Sequence, residues 1–446
     1  MTGPPGPGLH SGGMVSSASR SPVDSSPVVS SPVDRASAGT AWRVGLVGAL
    51  TVGVAYGMGR YAYGLTLPSV RNELDLPSWV AGTVAGGTFA GFLLALLVLG
   101  PLTHRRGPRA PVLLGTLLGA LGAATVALSP AVGPLAAGAV ATGASAGLVW
   151  APFSDLVERL APEGLRPTLL SVVTTGTSGG LVLLGGSAAV LPTAQWRGVW
   201  IATSLLSVLA LVLVRWWVPA LAPGDASAPE TRWTDLRAVR APVLYALPYL
   251  GGVVVWFSYA SAAVRDRDLP ASLGAALYVV VGVCGLAGLL TGRLVGRWGP
   301  VRVGAAALLS LALALGLLAA PLGGPVPVVA SAVVAGPGYM AGSALLAVWA
   351  ARQVPRRSGR AFVMTLVSGS VASVLAPPAV AAVVPRVGLP TALSGVAGLL
   401  AVSALVMLLL PRQGTASADP SGASDLEELP SVGESGVGAG QPRHHP

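Results

Sequence analysis

The sequence predicts an all-α polytopic membrane protein in which twelve transmembrane helices form two pseudo-symmetric six-helix bundles. Three observations carry that reading: a composition too apolar for a water-facing fold, twelve apolar runs of membrane length, and a loop motif that recurs at equivalent places in the two halves. Of the 446 residues, 53% are hydrophobic and only 10% charged, against about 25% charged in soluble domains. The 60 glycines and 38 prolines lie mostly inside apolar runs, where glycine lets helices approach closely.

A hydrocarbon core of about 30 Å needs about 20 apolar residues per helix. Runs of that kind occupy 44–68, 79–102, 110–129, 132–153, 168–191, 197–218, 241–264, 271–292, 301–320, 326–350, 361–384 and 389–411. Barrel strands would be shorter and alternate in polarity. With the N-terminus inside, the short loops facing the cytoplasm carry sixteen arginines and the opposite loops five. That asymmetry places both termini in the cytoplasm and supports an even number of spans. The bundles are expected at 41–219 and 241–411, joined by a cytoplasmic linker at 220–240. Residues 1–40 and 412–446 read as disordered tails from their Gly/Ser/Pro-rich composition, and 1–40 lack the pattern of a signal peptide.

The loop after the second run reads GPLTHRRGP, and the loop after the eighth reads GRLVGRWGP. Both share G-x-L-x-x-R-x-G-P, at an offset of 192 residues. A motif repeated at matching topological positions implies two similar halves with a pathway between them. The net charge of +10 is scattered over short loops with no basic block, which argues against nucleic acid. One cysteine and four dispersed histidines give no disulfide framework and no metal cluster. No phosphate-binding loop or carboxylate/histidine constellation appears, so no enzyme and no cofactor are expected.

The two loops resemble the G-x-L-a-D-R-x-G-R-R signature of the major facilitator superfamily, found after helix 2 and echoed after helix 8. Gly100, Leu102, Arg105, Gly107 and Arg109 match in the first copy, and Gly292, Leu294, Arg297 and Gly299 in the second. His104 and Gly296 stand where the signature has Asp, and Pro108 where it has Arg. In the family that Asp helps latch the halves on the cytoplasmic side; without it the latch is lost here, or passes to another acid such as Asp155. The resemblance covers 41–411. The segment GMGRYAYGLTLP, Gly57 to Pro68, further resembles the first helix of the poorly characterised YbfB-like branch, which implies bacterial inner-membrane transport without naming a substrate.

Arg60 is the one charge clearly inside a span, 11 residues from Arg71, or about 16 Å at 1.5 Å rise. An intramembrane ionisable residue is by default a functional-site candidate. On a straight helix Tyr56, Arg60 and Tyr63 share one face within about 60°. On the seventh span Tyr245, Tyr249, Trp256 and Tyr259 fall within about 80°, around Gly252, the repeat-equivalent of Arg60. In the family the first helix of each triplet lines the cavity, so the two faces are expected to oppose each other there. Aromatic walls with one guanidinium suit an anionic or amphipathic substrate. The bland readings are that Arg60 snorkels or bonds backbone carbonyls at a helix break, and that the aromatic stripe is packing. Trp150 and Tyr339 are weaker candidates. Glycines 176, 179, 180, 185 and 186 of the fifth span suit close helix contacts that permit rocking.

The sequence reading is therefore a monomeric carrier of a small molecule by alternating access, in the bacterial inner membrane, with substrate residues Arg60, Tyr56, Tyr63, Tyr245, Tyr249, Trp256 and Tyr259. Gating residues are Gly100, Arg105, Gly107, Arg109, Gly292, Arg297, Gly299 and Asp155. Its partners are the substrate and the lipid bilayer. The proton is a candidate coupling ion, although no acid sits mid-span, and a uniporter or anion exchanger fits equally. The alternative is a transporter-like sensor or interaction protein that moves nothing.

Overall fold

The computed structural model describes Met1, Gly3 and residues 32–191, 195–223, 239–353 and 358–409. Most of the expected tails and linker lie outside those residues, although the first helix already begins at Pro32. Among the described residues all regular structure is helical.

The first crossing, α1, has three pieces: an α-helix Pro32–Val52, a π-helix Gly53–Gly59 and an α-helix Ala62–Glu73. It is followed by α2 (Ser78–Arg106), α3 (Arg109–Ala127), α4 (Val132–Leu160), α5 (Arg166–Val190) and α6 (Trp196–Trp217). The second set opens with α7 (Arg240–Arg265) and closes with α10 (Val326–Gln353), α11 (Ser358–Val387) and α12 (Leu389–Leu409). Between them Ala271–Ala319 runs on as one apolar stretch of 49 residues, so the described residues hold eleven helices of membrane length. A straight helix of that length would span about 74 Å, more than twice the hydrocarbon thickness of about 30 Å. The stretch breaks at Gly299, where φ is 80° and ψ 161°. It therefore supplies two crossings, α8 over 271–298 and α9 over 300–319, and the total among the described residues is twelve.

Gly299 explains the repeated loop. Its partner in the first half, Gly107, has φ 76° and ψ 170°. Both lie in a backbone region that only glycine occupies without strain. Each is followed by a proline, whose fixed φ suits the start of the next helix. The shared motif is thus one hairpin geometry, built twice.

Helices α1–α6 pack chiefly among themselves, as do α7–α12, and the bundles join through three seams: α2 with α11, α5 with α8, and α1 with α7. The close approaches lie toward the ends remote from the arginine-rich loops. Gly82 and Gly86 of α2 abut Pro377, Pro378 and Ala381 of α11, and Gly185 of α5 abuts Ala275 of α8. Gly64 of α1 is the tightest point, because a Cβ there would stand 2.0 Å from the Phe257 carbonyl oxygen of α7. The bundles are thus drawn together on the side where Glu73 sits. Toward the arginine loops they meet edge-on at Trp150 and Phe362, with ring centroids 5.7 Å apart. The periphery carries exposed Leu and Val along the helices, and exposed Trp42, Trp216, Trp217 and Trp298 toward the arginine side, as expected of an interfacial aromatic belt.

Candidate substrate site

The site starts from the π-helix. Its backbone is pressed against α5: a Cβ on Gly57 would meet the Thr177 carbonyl at 2.5 Å, and one on Gly180 would meet the Gly53 carbonyl at 1.9 Å. The Arg60 N–H donates to the Ala55 carbonyl at 3.2 Å, five residues back, and the Tyr61 N–H donates to Met58, only three back. Widening then tightening shifts the helical phase at Arg60 and Tyr61. Such π turns occur mostly as single-turn insertions, frequently at functional sites.

Arg60 is only 2% exposed. Its guanidinium carbon lies 4.6 Å from the ring centre of Tyr56, 5.6 Å from Tyr61, 4.9 Å from Phe89 and 4.3 Å from Phe92. Tyr56 is in turn braced edge-on by Phe92 and Trp150. Cation–π contact is worth about 2 kcal/mol at a desolvated site, whereas burying a charge costs several. The rings therefore soften the cost, and the Tyr56 hydroxyl adds a hydrogen bond to the guanidinium, but no counter-charge is supplied. Nε and Nη2 of Arg60 are buried and have no partner. Ion pairs join Arg159 to Asp155, Arg166 to Glu163 and Arg197 to Glu73, all near helix ends and none involving Arg60. The Arg60 side chain thus neither reaches the surface nor carries a counter-charge.

Tyr56 stays beside Arg60 as expected, but the neighbour that crosses to the other bundle is Tyr61. Its ring stacks on Phe257 of α7 at 3.9 Å, and its hydroxyl donates to the Tyr339 hydroxyl of α10 at 3.0 Å. Tyr63 lines the same small cavity as Arg60, and its buried hydroxyl has no partner.

The hydrogen bonds of the α7 stripe stay within its own bundle. Tyr245 and Tyr249 stack on each other, and the Tyr249 hydroxyl pairs with the Tyr339 carbonyl and with Ser343. Trp256 donates its indole N–H to Ser331 at 2.9 Å, and Tyr259 donates to the Pro377 carbonyl at 2.6 Å. Gly252 faces Leu400 of α12, with a Cβ meeting it at 2.7 Å. Tyr249 still lies within electrostatic reach of the Arg60 guanidinium, and Tyr259 of Tyr63. The expected direct opposition is thus replaced by a looser approach in which the stripe's hydrogen bonds stay in its own bundle. Phe257, one residue beyond Trp256, is the α7 ring that meets α1. Phe89, Phe92 and Phe257 were not singled out in the sequence, because apolar rings inside apolar runs carry no signal of their own.

On the Glu73 side of the Gly64 crossing lies a second cavity, of about 430 Å³, lined among others by Thr66, Asn72, Trp196, Ser261 and Arg265. Glu73 accepts from Arg197 and from the Trp196 indole, bracing α1 to α6. Beyond it, Arg267 donates to the Leu318 and Ala320 carbonyls, each at 2.6 Å, capping α9. Burial holds its guanidinium below the usual arginine range, with Asp266 pulling the other way.

At the gating loops Arg105, Gly292 and Arg297 are exposed, and Gly100 is half-buried with open space around it. Arg109 donates to the Arg215 carbonyl, and a Cβ on Gly107 would meet the Leu221 carbonyl at 2.3 Å, so both hold the chain leaving α6. Asp155 pairs with Arg159 at 2.8 Å on its own helix. Gly176 abuts Ala49 of α1, while Gly179 and Gly186 face open space.

Two bundles of six helices, each carrying the same hairpin after its second helix, with one caged cation between them, define a membrane carrier fold. Residues 49–285 match the model of the Major Facilitator Superfamily, and the chain belongs to that superfamily. It is 29% identical over 170 residues to "D-xylose-proton symporter-like 2" of Arabidopsis thaliana, covering 37% of this chain and 31% of that protein. It is 24% identical over 180 residues to "Uncharacterized MFS-type transporter YdgK" of Bacillus subtilis, covering 39% and 44%. The chain thus spans less than half the length of these curated relatives. Among solved structures, a D-xylose-proton symporter superposes with a TM-score of 0.69 at 14% identity, over 83% of this chain and 98% of that one. The nucleoside transporter NupG superposes at 0.65 with 13% identity, over 83% and 99%. At those identities the likeness is one of fold.

Proposed function

We propose that the chain is a secondary carrier of a small organic anion, working by alternating access, with Arg60 as the counter-charge of its substrate. The observation that carries this is the Arg60 guanidinium, buried among four rings with two polar atoms unpartnered and no carboxylate beside it. A carboxylate or phosphate would accept the free N–H groups, while the rings would hold an apolar body. Arginine-rich loops face the cytoplasm, so both termini are cytoplasmic and the form described, drawn together on the Glu73 side, is inward-facing. The resemblance of Gly57–Pro68 supports a place in the YbfB-like branch, in a bacterial inner membrane.

A neutral pentose is the second reading, favoured by the names of two relatives, the Arabidopsis symporter-like protein and a D-xylose transporter of Levilactobacillus brevis. Thermal stabilisation of the purified protein by anionic, neutral and cationic metabolites separates the two. A ligand at a hundredfold excess over Kd adds about 2.7 kcal/mol. Anions should stabilise the wild type and lose that effect in folded Arg60→Gln; stabilisation by pentoses alone, unchanged in the variant, would select the second reading. Counterflow of the hit in proteoliposomes then separates a carrier from a sensor.

A further inference from the structure

Arg60, Tyr63, Thr88, Phe89, Phe257 and Ser258 are among the residues lining a cavity in which the centre of a water-sized sphere has about 10 Å³ to move, room for one small ion or molecule. It lies at the seam of the two bundles, with Phe257 and Ser258 from α7 and the rest from α1 and α2. Two of its lining side chains keep buried polar atoms without partners: Nε and Nη2 of Arg60 and the hydroxyl of Tyr63. The Thr88 hydroxyl is spent on the Val84 carbonyl. What the cavity offers is therefore N–H and O–H donors on a fixed positive charge.

We propose that this cavity is a binding site for a single monoatomic anion of halide size, chloride being the biological candidate. An organic carboxylate is too large for the space while the bundles are drawn together at Gly64 and Phe257. A lone water would satisfy one or two donors but leave the guanidinium charge uncompensated in a low dielectric, which costs several kcal/mol. A halide meets both demands at once. It neutralises Arg60 in the closed form and uses the hydroxyl of Tyr63 as a second donor. The site goes beyond the carrier reading, since it requires only that Arg60 stays charged and shut in.

The test is the melting temperature of the purified full-length chain, at constant ionic strength, as isethionate is replaced by chloride or bromide. A saturable rise with either halide is expected in the wild type. Apparent halide affinity should fall about tenfold in Tyr63→Phe, which loses one hydrogen bond to a charged ligand, and the response should vanish in Arg60→Gln. Identical melting in isethionate and halide, or a halide response that survives in Arg60→Gln, overturns the site. If Arg60→Gln does not fold, bromide anomalous scattering from wild-type crystals decides: a peak beside Arg60 supports the site, and its absence at saturating bromide rejects it. Organic anions screened in isethionate are read separately, so a failed substrate assignment leaves this result standing and a failed halide response leaves that one.

Discussion

Tyr61 joins the two bundles with one side chain, through its stack on Phe257 and its hydrogen bond to Tyr339. The two contributions can be taken apart. Tyr61→Phe keeps the stack and forfeits the hydroxyl bond, an expected loss of about 1 kcal/mol. Tyr61→Ala removes a fully buried ring, about 3–5 kcal/mol. Because both contacts cross the seam, the loss falls on the closed form more than on either bundle. A thiol placed at Ser261, in a Cys284→Ser background, should therefore react faster from the Glu73 side in Tyr61→Ala than in Tyr61→Phe. Equal labelling rates in the two variants would contradict a closing role for the ring. Arg60 itself was legible as the one charge within a span, but its cage was not. Phe89 and Phe92 lie on another helix and read as ordinary membrane residues until the fold brings them to the guanidinium.

At the scale of the element, the duplicated hairpin offers a controlled comparison. Gly107 and Gly299 share nearly the same backbone angles, so alanine at either pays a strain cost of about 1–3 kcal/mol. At Gly299 nothing lies within 4 Å of the added Cβ, whereas at Gly107 the Leu221 carbonyl would be 2.3 Å away. Gly107→Ala should therefore lower the melting temperature more than Gly299→Ala; the reverse order would mean that the contact with the chain leaving α6 is not made in the membrane. The seam at Gly64 gives a sharper case. A methyl 2.0 Å from a backbone oxygen cannot be relieved by a side-chain rotation, so Gly64→Ala should hold the bundles apart on the Glu73 side. Distances between spin labels at Asn72 and Asp268 should lengthen in that variant; unchanged distances would place the pivot elsewhere. Hydropathy located all twelve crossings, because membrane thickness imposes length directly on composition. A helix break near Gly57, Gly59 and Gly64 was among the readings of the sequence, but its π form was not legible, because whether such a segment stays α or widens depends on the helix it meets. That single inserted phase shift carried Tyr61 across the seam in place of the expected face.

At the scale of the molecule, the pseudo-symmetry was visible because a glycine-specific backbone conformation leaves a fixed letter in the sequence, twice and 192 residues apart. The direction in which the α7 rings point was not, since a stripe of aromatics serves a bundle's own core and a shared cavity equally well. The orientation argument predicts that tags on both termini are protected from protease in right-side-out vesicles and cleaved in inverted ones. Cleavage of one terminus in each preparation would require an odd number of crossings.

Arg60 also has an electrical consequence. Its charge lies within the membrane's field, and in the proposed alternating-access cycle whichever side the site opens to would impose its potential on it. Moving one elementary charge through the full field exchanges about 2.3 kcal/mol per 100 mV. With a monovalent anion beside it, the guanidinium belongs to a neutral pair and reorientation passes unnoticed by the voltage. Alone, it is a gating charge. Voltage should thus steer the empty half of the cycle and leave the loaded half indifferent, so that transient currents shrink as the anion saturates and disappear in Arg60→Gln.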